Sequence, residues 1–180
     1  MKATGIVRRI DDLGRVVIPK EIRRVMRIRD GDPLEIYTAV DGEVIFKKYS
    51  PIGELTGIAS EYAEVLSKDC AYGIVICDRD HAVAASGISK KDTLDRRVSS
   101  ELERLMDARQ TYFRKAGEHE KIKPFDGLDN SASIIVPIIA AGDISGAVVA
   151  LDLERSKAPS EVDLKLCRVA AAFLGRQMEE

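Results

Sequence analysis

The sequence predicts an α+β protein with two domains: a small β-rich domain over residues 1–51, and a domain over residues 52–180 with an antiparallel sheet and flanking helices. The 180 residues are 45% apolar and 32% charged, a composition that can build a core. After residue 51 the patterns run helix, strands, helix, strands, helix. Residues 1–50 contain 11 Lys and Arg against 8 Asp and Glu, whereas the rest contains 17 against 22. This asymmetry indicates two parts with different partners.

The first domain reads as short strands and one short helix. "GIVRRI" and "LGRVVIP" predict two strands, and "PKEIRRVMRIRDG" predicts a helix with Pro19 at its first position and Gly31 as its stop. Two further strand-like runs flank Asp41 and Gly42. Asp-Gly is typical of a two-residue type I′ hairpin turn.

A domain of about fifty residues with four short strands buries little surface and leaves open strand edges. An intertwined homodimer, in which two copies complete one core, solves both problems. We therefore expect residues 1–51 to form a homodimer without a stable monomer.

The second domain opens and closes with helices. "YGIVICD" and "HAVAAS" predict a hairpin, "KDTLDRRVSSELERLMDARQ" a helix, and "SIIVPIIAAGDISGAVVALD" two strands around a tight turn. Ser160 and Asp163 form a capping-box pattern at the last helix. The apolar stripes of the first and last helices are Ile52, Leu55, Ile58, Tyr62, Val65 and Leu66, and Val162, Leu166, Val169, Ala170, Phe173 and Leu174.

Composition argues against several classes of function. No apolar run is long enough to cross a bilayer and no signal peptide is visible, so we expect a cytoplasmic protein. Aromatic residues are 5% with no Trp, which disfavours stacking on single-stranded nucleic acid. Cys70, Cys77 and Cys167 lack CxxC spacing, and His81 and His119 lack a partner at metal-ligand spacing. No catalytic signature is present, so we predict neither an enzyme nor a metal site.

The basic residues of the first domain are the strongest functional signal. The guanidinium fork of arginine matches two phosphate oxygens, or O6 and N7 of guanine in the major groove of duplex DNA. An ordinary solvated face, paired with Asp11, Asp12 and Glu21, is the alternative, and composition alone does not separate the two. The residues concerned are Arg8, Arg9, Arg15, Lys20, Arg23 and Arg24.

An ordered series of motifs in residues 1–51 resembles the AbrB family of transition-state regulators. The motifs are Gly5-Ile6-Val7-Arg8, Leu13-Gly14-Arg15-Val16-Val17-Ile18-Pro19, Glu21-Ile22-Arg23-Arg24 and Lys47-Lys48-Tyr49. The resemblance implies a swapped-hairpin β-barrel dimer that binds double-stranded DNA. By position, Arg8, Arg15, Arg23 and Arg24 match the DNA-contacting arginines of the family, while Lys2 and Arg9 fall where it carries basic residues. Lys20 departs from many relatives, and we treat it as an extra phosphate contact.

The late hairpin of the second domain, with Pro137 in its strand and Gly146 before the last strand, resembles that of GAF domains. Joined in this order, the two resemblances imply a nucleoid-associated transcriptional regulator, activator or repressor, of sporulation or late developmental genes. They also imply a homotetramer formed through helices 52–68 and 160–178.

GAF domains often bind a small molecule, but no cofactor is required by this sequence, and the ligand is left open. The loop residues Ser86, Ser89, Asp92, Asp126 and Asp129 are more typical of caps and turns than of ligand contacts.

Three alternatives remain at this point. One is a small-molecule sensor or assembly protein whose first domain only oligomerises, and another is an antitoxin-like protein that binds a toxin. The third is a redox-active GAF domain using Cys70 and Cys77, which would need an exposed thiolate of low pKa. The apolar surroundings of these cysteines favour buried structural thiols.

Overall fold

The computed structural model describes residues 4–70, 72–115, 121–153 and 158–179. The chain divides into two compact units, Met1–Tyr49 and Ser50–Glu180, which are called the N-terminal unit and the C-terminal unit.

The N-terminal unit contains one short helix and one hairpin. Helix α1 spans Lys20–Val25, and strands β1 (Leu34–Thr38) and β2 (Val44–Lys48) pair antiparallel. The connection of the two strands differs from the predicted two-residue turn. The Ala39 N–H donates to the Glu43 carbonyl at 3.0 Å, and only Gly42 has a positive φ, +86°. This is a three-residue loop that ends in a left-handed glycine, the next most common way to close a hairpin.

The same turn occurs earlier, at residues 11–15. The Asp11 N–H donates to the Arg15 carbonyl at 3.1 Å, the Gly14 N–H donates to the Asp11 carbonyl at 3.0 Å, and Gly14 has φ +76°. Residues 4–18 nevertheless form no strand, so the prediction of strands at "GIVRRI" and "LGRVVIP" is wrong for the single chain. A strand is defined by its ladder, and the arms of this first hairpin have no ladder partner within the described chain.

The end of helix α1 also differs from the prediction, because it lies before Gly31. The Ile28 N–H donates to the Arg23 carbonyl at 2.8 Å, and the Arg27 N–H to the Arg24 carbonyl at 3.3 Å, which is a Schellman motif. Arg27 occupies its left-handed position with φ +51°, where glycine is usual. The Lys48 ammonium, which donates to the Arg27 carbonyl at 2.9 Å, ties this helix end to the hairpin.

The C-terminal unit is built around an antiparallel five-stranded sheet, which confirms the predicted α+β fold class. Its strand order is β4-β3-β7-β6-β5. In chain order the elements are α2 (Pro51–Glu54), α3 (Thr56–Asp69), β3 (Gly73–Cys77), β4 (Ala82–Ser86), α4 (Lys90–Thr93), α5 (Ser100–Asp107), β5 (Tyr112–Phe113), β6 (Ala132–Ala140), β7 (Asp143–Leu151) and α6 (Glu161–Gln177).

Both faces of this sheet are covered, since side chains of β3 alternate between two apolar clusters. Ile74 and Ile76 pack under α2, α3 and α6, whereas Val75 and Cys77 pack with α5 and the loop that carries Phe125. Gly146 on β7 permits close approach to β3, because a Cβ there would lie 1.9 Å from the Cys77 carbonyl oxygen. The predicted capping box of Ser160 and Asp163 is confirmed at the start of α6.

The predicted helix at "KDTLDRRVSSELERLMDARQ" is interrupted. Its two ends form α4 and α5, but Asp95 has φ +62°, and β4 captures the backbone between them. The Ala82 N–H donates to the Arg96 carbonyl at 2.9 Å, and the Asp95 N–H donates to the Ala82 carbonyl at 3.0 Å. Pairing with the sheet edge therefore overrides local helix propensity. The sequence pattern does not predict the short strand β5.

Helices α3 and α6 face the sheet mainly through small side chains and turn larger ones outward. Buried residues include Ala59, Ala63, Cys167, Ala170 and Ala171. The predicted stripes thus identify the helices but only part of the core face. Larger apolar side chains lie on the outer side of the two helices, where the rings of Tyr62 and Phe173 stack with their centroids 5.2 Å apart. This outer helical surface consists of the exposed Val65, Val162, Val169 and Phe173 and of the half-buried Ile58, Tyr62 and Leu166, which also pack against the core.

Candidate nucleic-acid interface

The basic residues of the N-terminal unit flank the first hairpin turn and continue onto helix α1. Arg8 and Arg9 precede the turn, Arg15 follows it, and Pro19 caps the helix on which Lys20, Arg23 and Arg24 lie. Pro19 is the only buried residue among residues 4–24, so this segment presents its cations on a largely open surface. Lys2 lies outside the described residues.

Four of these cations are available for a ligand. Within the described part of the chain, the side chains of Arg8, Arg9, Lys20 and Arg24 are exposed and form no hydrogen bond or ion pair. Cations left exposed and unpaired in one short segment can neutralise phosphates without first breaking an internal contact. Acids of the described chain therefore do not neutralise these four side chains.

The other two arginines carry internal partners. Arg15 Nε donates to Asp11 Oδ2 at 2.8 Å, and its side chain is still 69% exposed. The Arg15 backbone N–H and guanidinium hold the pKa of Asp11 below its ordinary value. Arg23 Nη1 lies 2.5 Å from Asp30 Oδ1, a partner that the sequence pattern does not predict, unlike the pairing of arginines with Asp11.

The C-terminal unit contains no group of metal-ligating side chains among its described residues. The candidate ligand residues have ordinary structural roles: Ser86 shares a hydrogen bond with Ser67, Ser89 donates to Asp92, and Asp129 pairs with Lys123. A shallow cavity of about 360 Å³ lies beside α5, with Leu105, Tyr112 and Ile122 in its wall. The sheet face next to α5 is filled by Leu102, Met106 and Phe125.

The three cysteines are free and buried, as the sequence predicted. Burial raises the pKa of the Cys70 thiol to about 11 and that of Cys167 to about 12, and it also raises the pKa of Cys77. Thiols of this kind stay protonated at neutral pH, which argues against nucleophilic or redox-sensing chemistry.

Because protonated thiols are inert, the native protein should react slowly with iodoacetamide at pH 8, where a thiol of pKa about 11 is roughly 0.1% thiolate. All three cysteines should be alkylated within minutes in denaturant, and intact-protein mass spectrometry counts the alkyl groups added. Fast native labelling of Cys70 or Cys77, or a sulfenate there after peroxide treatment, would revive the redox alternative.

Both parts of the chain match known protein families. Residues 54–179 match the family described as stage V sporulation protein T C-terminal, transcription factor, and residues 7–53 match the family described as antidote-toxin recognition MazE, bacterial antitoxin. The chain is 51% identical to stage V sporulation protein T of Bacillus subtilis, with both chains fully covered. It is also 59% identical to transition state regulatory protein AbrB of the same organism, over 28% of this chain and 52% of that protein.

The C-terminal unit has the GAF fold. It is similar to the PixJ GAF domain of Thermosynechococcus elongatus, with a TM-score of 0.51 and 15% identity over 72% of this chain and 90% of that structure. A basic AbrB-like unit that is followed along the chain by a GAF-like unit defines a two-domain transcription factor. More specifically, the chain belongs to the stage V sporulation protein T family, which confirms the family resemblance predicted from the motifs.

Proposed function

We propose that the N-terminal units of two copies form a homodimer that binds duplex DNA through Lys2, Arg8, Arg9, Arg15, Lys20, Arg23 and Arg24. The observation that carries this proposal is a set of four exposed cations near the first hairpin turn and on α1 that have no hydrogen bond or ion pair among the described residues: Arg8, Arg9, Lys20 and Arg24. Their side chains lie within a segment of the chain that is similar to AbrB. Regulation of sporulation genes follows from the family. We propose that the protein is cytoplasmic and associates with the nucleoid.

Exposed apolar side chains support the dimer. Val7 is 88% exposed, and Leu13 and Val17 are each 70% exposed. Apolar side chains this open on a small unit are typical of surfaces covered by another chain. Within the described chain, the arms of the first hairpin also lack a ladder partner, so a second copy would supply both a core and the missing hydrogen bonds.

We further propose that residues 52–180 form a regulatory and oligomerising domain, in which the outer helical surface joins two DNA-binding dimers into a tetramer. Val65, Val169 and Phe173 are between 40% and 58% exposed on adjacent helices. A packed four-helix contact between two C-terminal units would bury them. Two linked DNA-binding heads then raise the overall affinity by effective concentration, without new contacts to DNA.

A small-molecule ligand of the C-terminal unit stays a prediction, and we propose no catalytic role. Binding on the sheet face next to α5 would require Leu102, Met106 or Phe125 to move, because these side chains fill it. The described cavity beside α5 is the more accessible place. None of the described helices is long and apolar enough to span a membrane.

DNA affinity should fall steeply as salt rises, because each phosphate that a cation neutralises releases a condensed counterion. We expect the slope of log binding constant against log salt to be about −0.9 per neutralised phosphate. Fluorescence anisotropy with a duplex selected by the wild-type protein from a random pool would measure it. A binding constant that does not change between low and high salt would rule out the proposed contacts, and sucrose at equal osmolality controls for general solution effects.

Toxin binding is the second candidate function, since residues 7–53 match the antitoxin family model. The apolar surface of the N-terminal unit would then face a different protein instead of a second copy. Sedimentation of the purified chain separates the two candidates. A dimer or tetramer that binds duplex DNA supports the regulator, whereas a monomer without DNA affinity contradicts it and leaves the apolar surface of the N-terminal unit open to a different protein.

A further inference from the structure

The carboxylate of Asp11 is fully engaged within the first hairpin turn. Its Oδ1 accepts hydrogen bonds from the backbone N–H groups of Leu13 at 3.0 Å and Arg15 at 2.8 Å. Its Oδ2 accepts from Arg15 Nε at 2.8 Å. One side chain thus holds both the backbone and the guanidinium of a residue that we place at the DNA.

The hairpin turn itself does not need this carboxylate. The second hairpin has the same three-residue loop, with the same backbone hydrogen bonds and a left-handed glycine, Gly42 in place of Gly14. There, Ala39 occupies the position of Asp11, and Glu43 occupies that of Arg15. Since alanine supports the turn at that position, Asp11 is not required for the turn; it adds two hydrogen bonds from the backbone and the contact with the Arg15 side chain.

We infer that Asp11 is a positioning residue that presets the Arg15 guanidinium for DNA. The inference rests on the proposed function, since it assumes that Arg15 contacts DNA. The Asp11 carboxylate accepts a hydrogen bond only from Nε of the Arg15 side chain, so the two terminal nitrogens of the guanidinium stay available as a fork for phosphate or guanine. A fork held in place before binding loses less rotamer entropy when DNA arrives.

Asp12 is the matched control for this role. It is the next residue, carries the same charge and is exposed, and its side chain forms no hydrogen bond or ion pair within the described ranges. Removing either acid lowers the repulsion of DNA phosphates by a similar amount. If charge alone mattered, Asp11→Ala and Asp12→Ala would both strengthen binding equally.

Positioning predicts opposite signs for the two variants. Asp11→Ala should weaken binding to the selected duplex by roughly three- to tenfold, whereas Asp12→Ala should strengthen it by about twofold. The salt slope of Asp11→Ala should stay close to that of wild type, because Arg15 still contacts DNA, whereas Arg15→Ala should make the slope shallower. In the Arg15→Ala background, Asp11→Ala should cause no further weakening.

Equal strengthening by Asp11→Ala and Asp12→Ala would overturn the inference, as would a full Asp11→Ala effect in the absence of Arg15. If the wild-type protein selects no duplex from the random pool, the proposed function fails instead, so the two failures are distinct. If a variant misfolds, a measurement on the wild-type protein still tests the inference. Solvent exchange of the Arg15 Nε–H in an NMR spectrum should be slower than that of Arg8, and equal exchange rates would contradict the positioning.

Discussion

Replacing Arg8, Arg15 and Arg24 together by alanine should lower DNA affinity at least roughly 100-fold, since a single arginine contact contributes about 1–3 kcal/mol. Arg8 and Arg24 are exposed and unpaired within the described residues, and Arg15 keeps its terminal nitrogens free of Asp11. A homodimer loses each contact twice, so the salt slope should also become much shallower.

Arg97→Ala is the control for this triple variant. Arg97 is an exposed arginine of the C-terminal unit whose side chain has no hydrogen bond or ion pair with a described residue. Its loss removes the same type of charge from a different surface, so affinity should stay within about twofold of wild type. Anisotropy titrations compare the variants, and sedimentation checks that the oligomer is intact. Wild-type binding by the triple variant would exclude these arginines from the interface.

The second large effect concerns the outer helical surface. Phe173→Asp should dissociate the tetramer into dimers, because burying an unpaired carboxylate costs several kcal/mol. Phe173 is 40% exposed and stacks on Tyr62, so the free C-terminal unit should tolerate the change. DNA binding should lose the avidity of the second head, roughly 10-fold or more, while each dimer still binds.

Leu94→Asp is the matched control for Phe173→Asp. Leu94 is a similarly exposed apolar residue, at 37%, but it lies between α4 and α5. Sedimentation velocity at several concentrations should show a tetramer for Leu94→Asp and a dimer for Phe173→Asp. A tetrameric Phe173→Asp protein with normal affinity would place the assembly contact elsewhere on the molecule.

Most of the C-terminal fold could be predicted because its signals are local. The apolar runs of β3, β6 and β7 and the capping box at Ser160 mark elements that form where the sequence indicates. The break at Asp95 could not be read from the sequence, because it depends on hydrogen bonds to Ala82 in another part of the chain. Periodicity likewise identified the helices but not the face in contact with the sheet, which small residues such as Ala59 and Ala170 provide.

In the N-terminal unit, by contrast, the candidate functional residues could be predicted, but part of the fold could not. The family motifs identify its basic residues as candidate DNA contacts, whereas strands within residues 4–18 would need a ladder partner, and the described part of the single chain provides none. The contact of Asp11 with Arg15 could be considered from sequence proximity, but its geometry depends on the turn. The pairing of Arg23 with Asp30 depends on the unexpected Schellman motif at Arg27, which reverses the chain earlier than Gly31 would.

The most direct test of the central claim is a map of the DNA contact on the full chain. Backbone amide signals of the isotope-labelled protein should be followed by NMR during titration with the selected duplex. The proposed function predicts that the largest shifts fall between residues 8 and 24, and that they weaken in the triple arginine variant. Shifts confined to the C-terminal unit, with residues 8–24 unchanged, would contradict it.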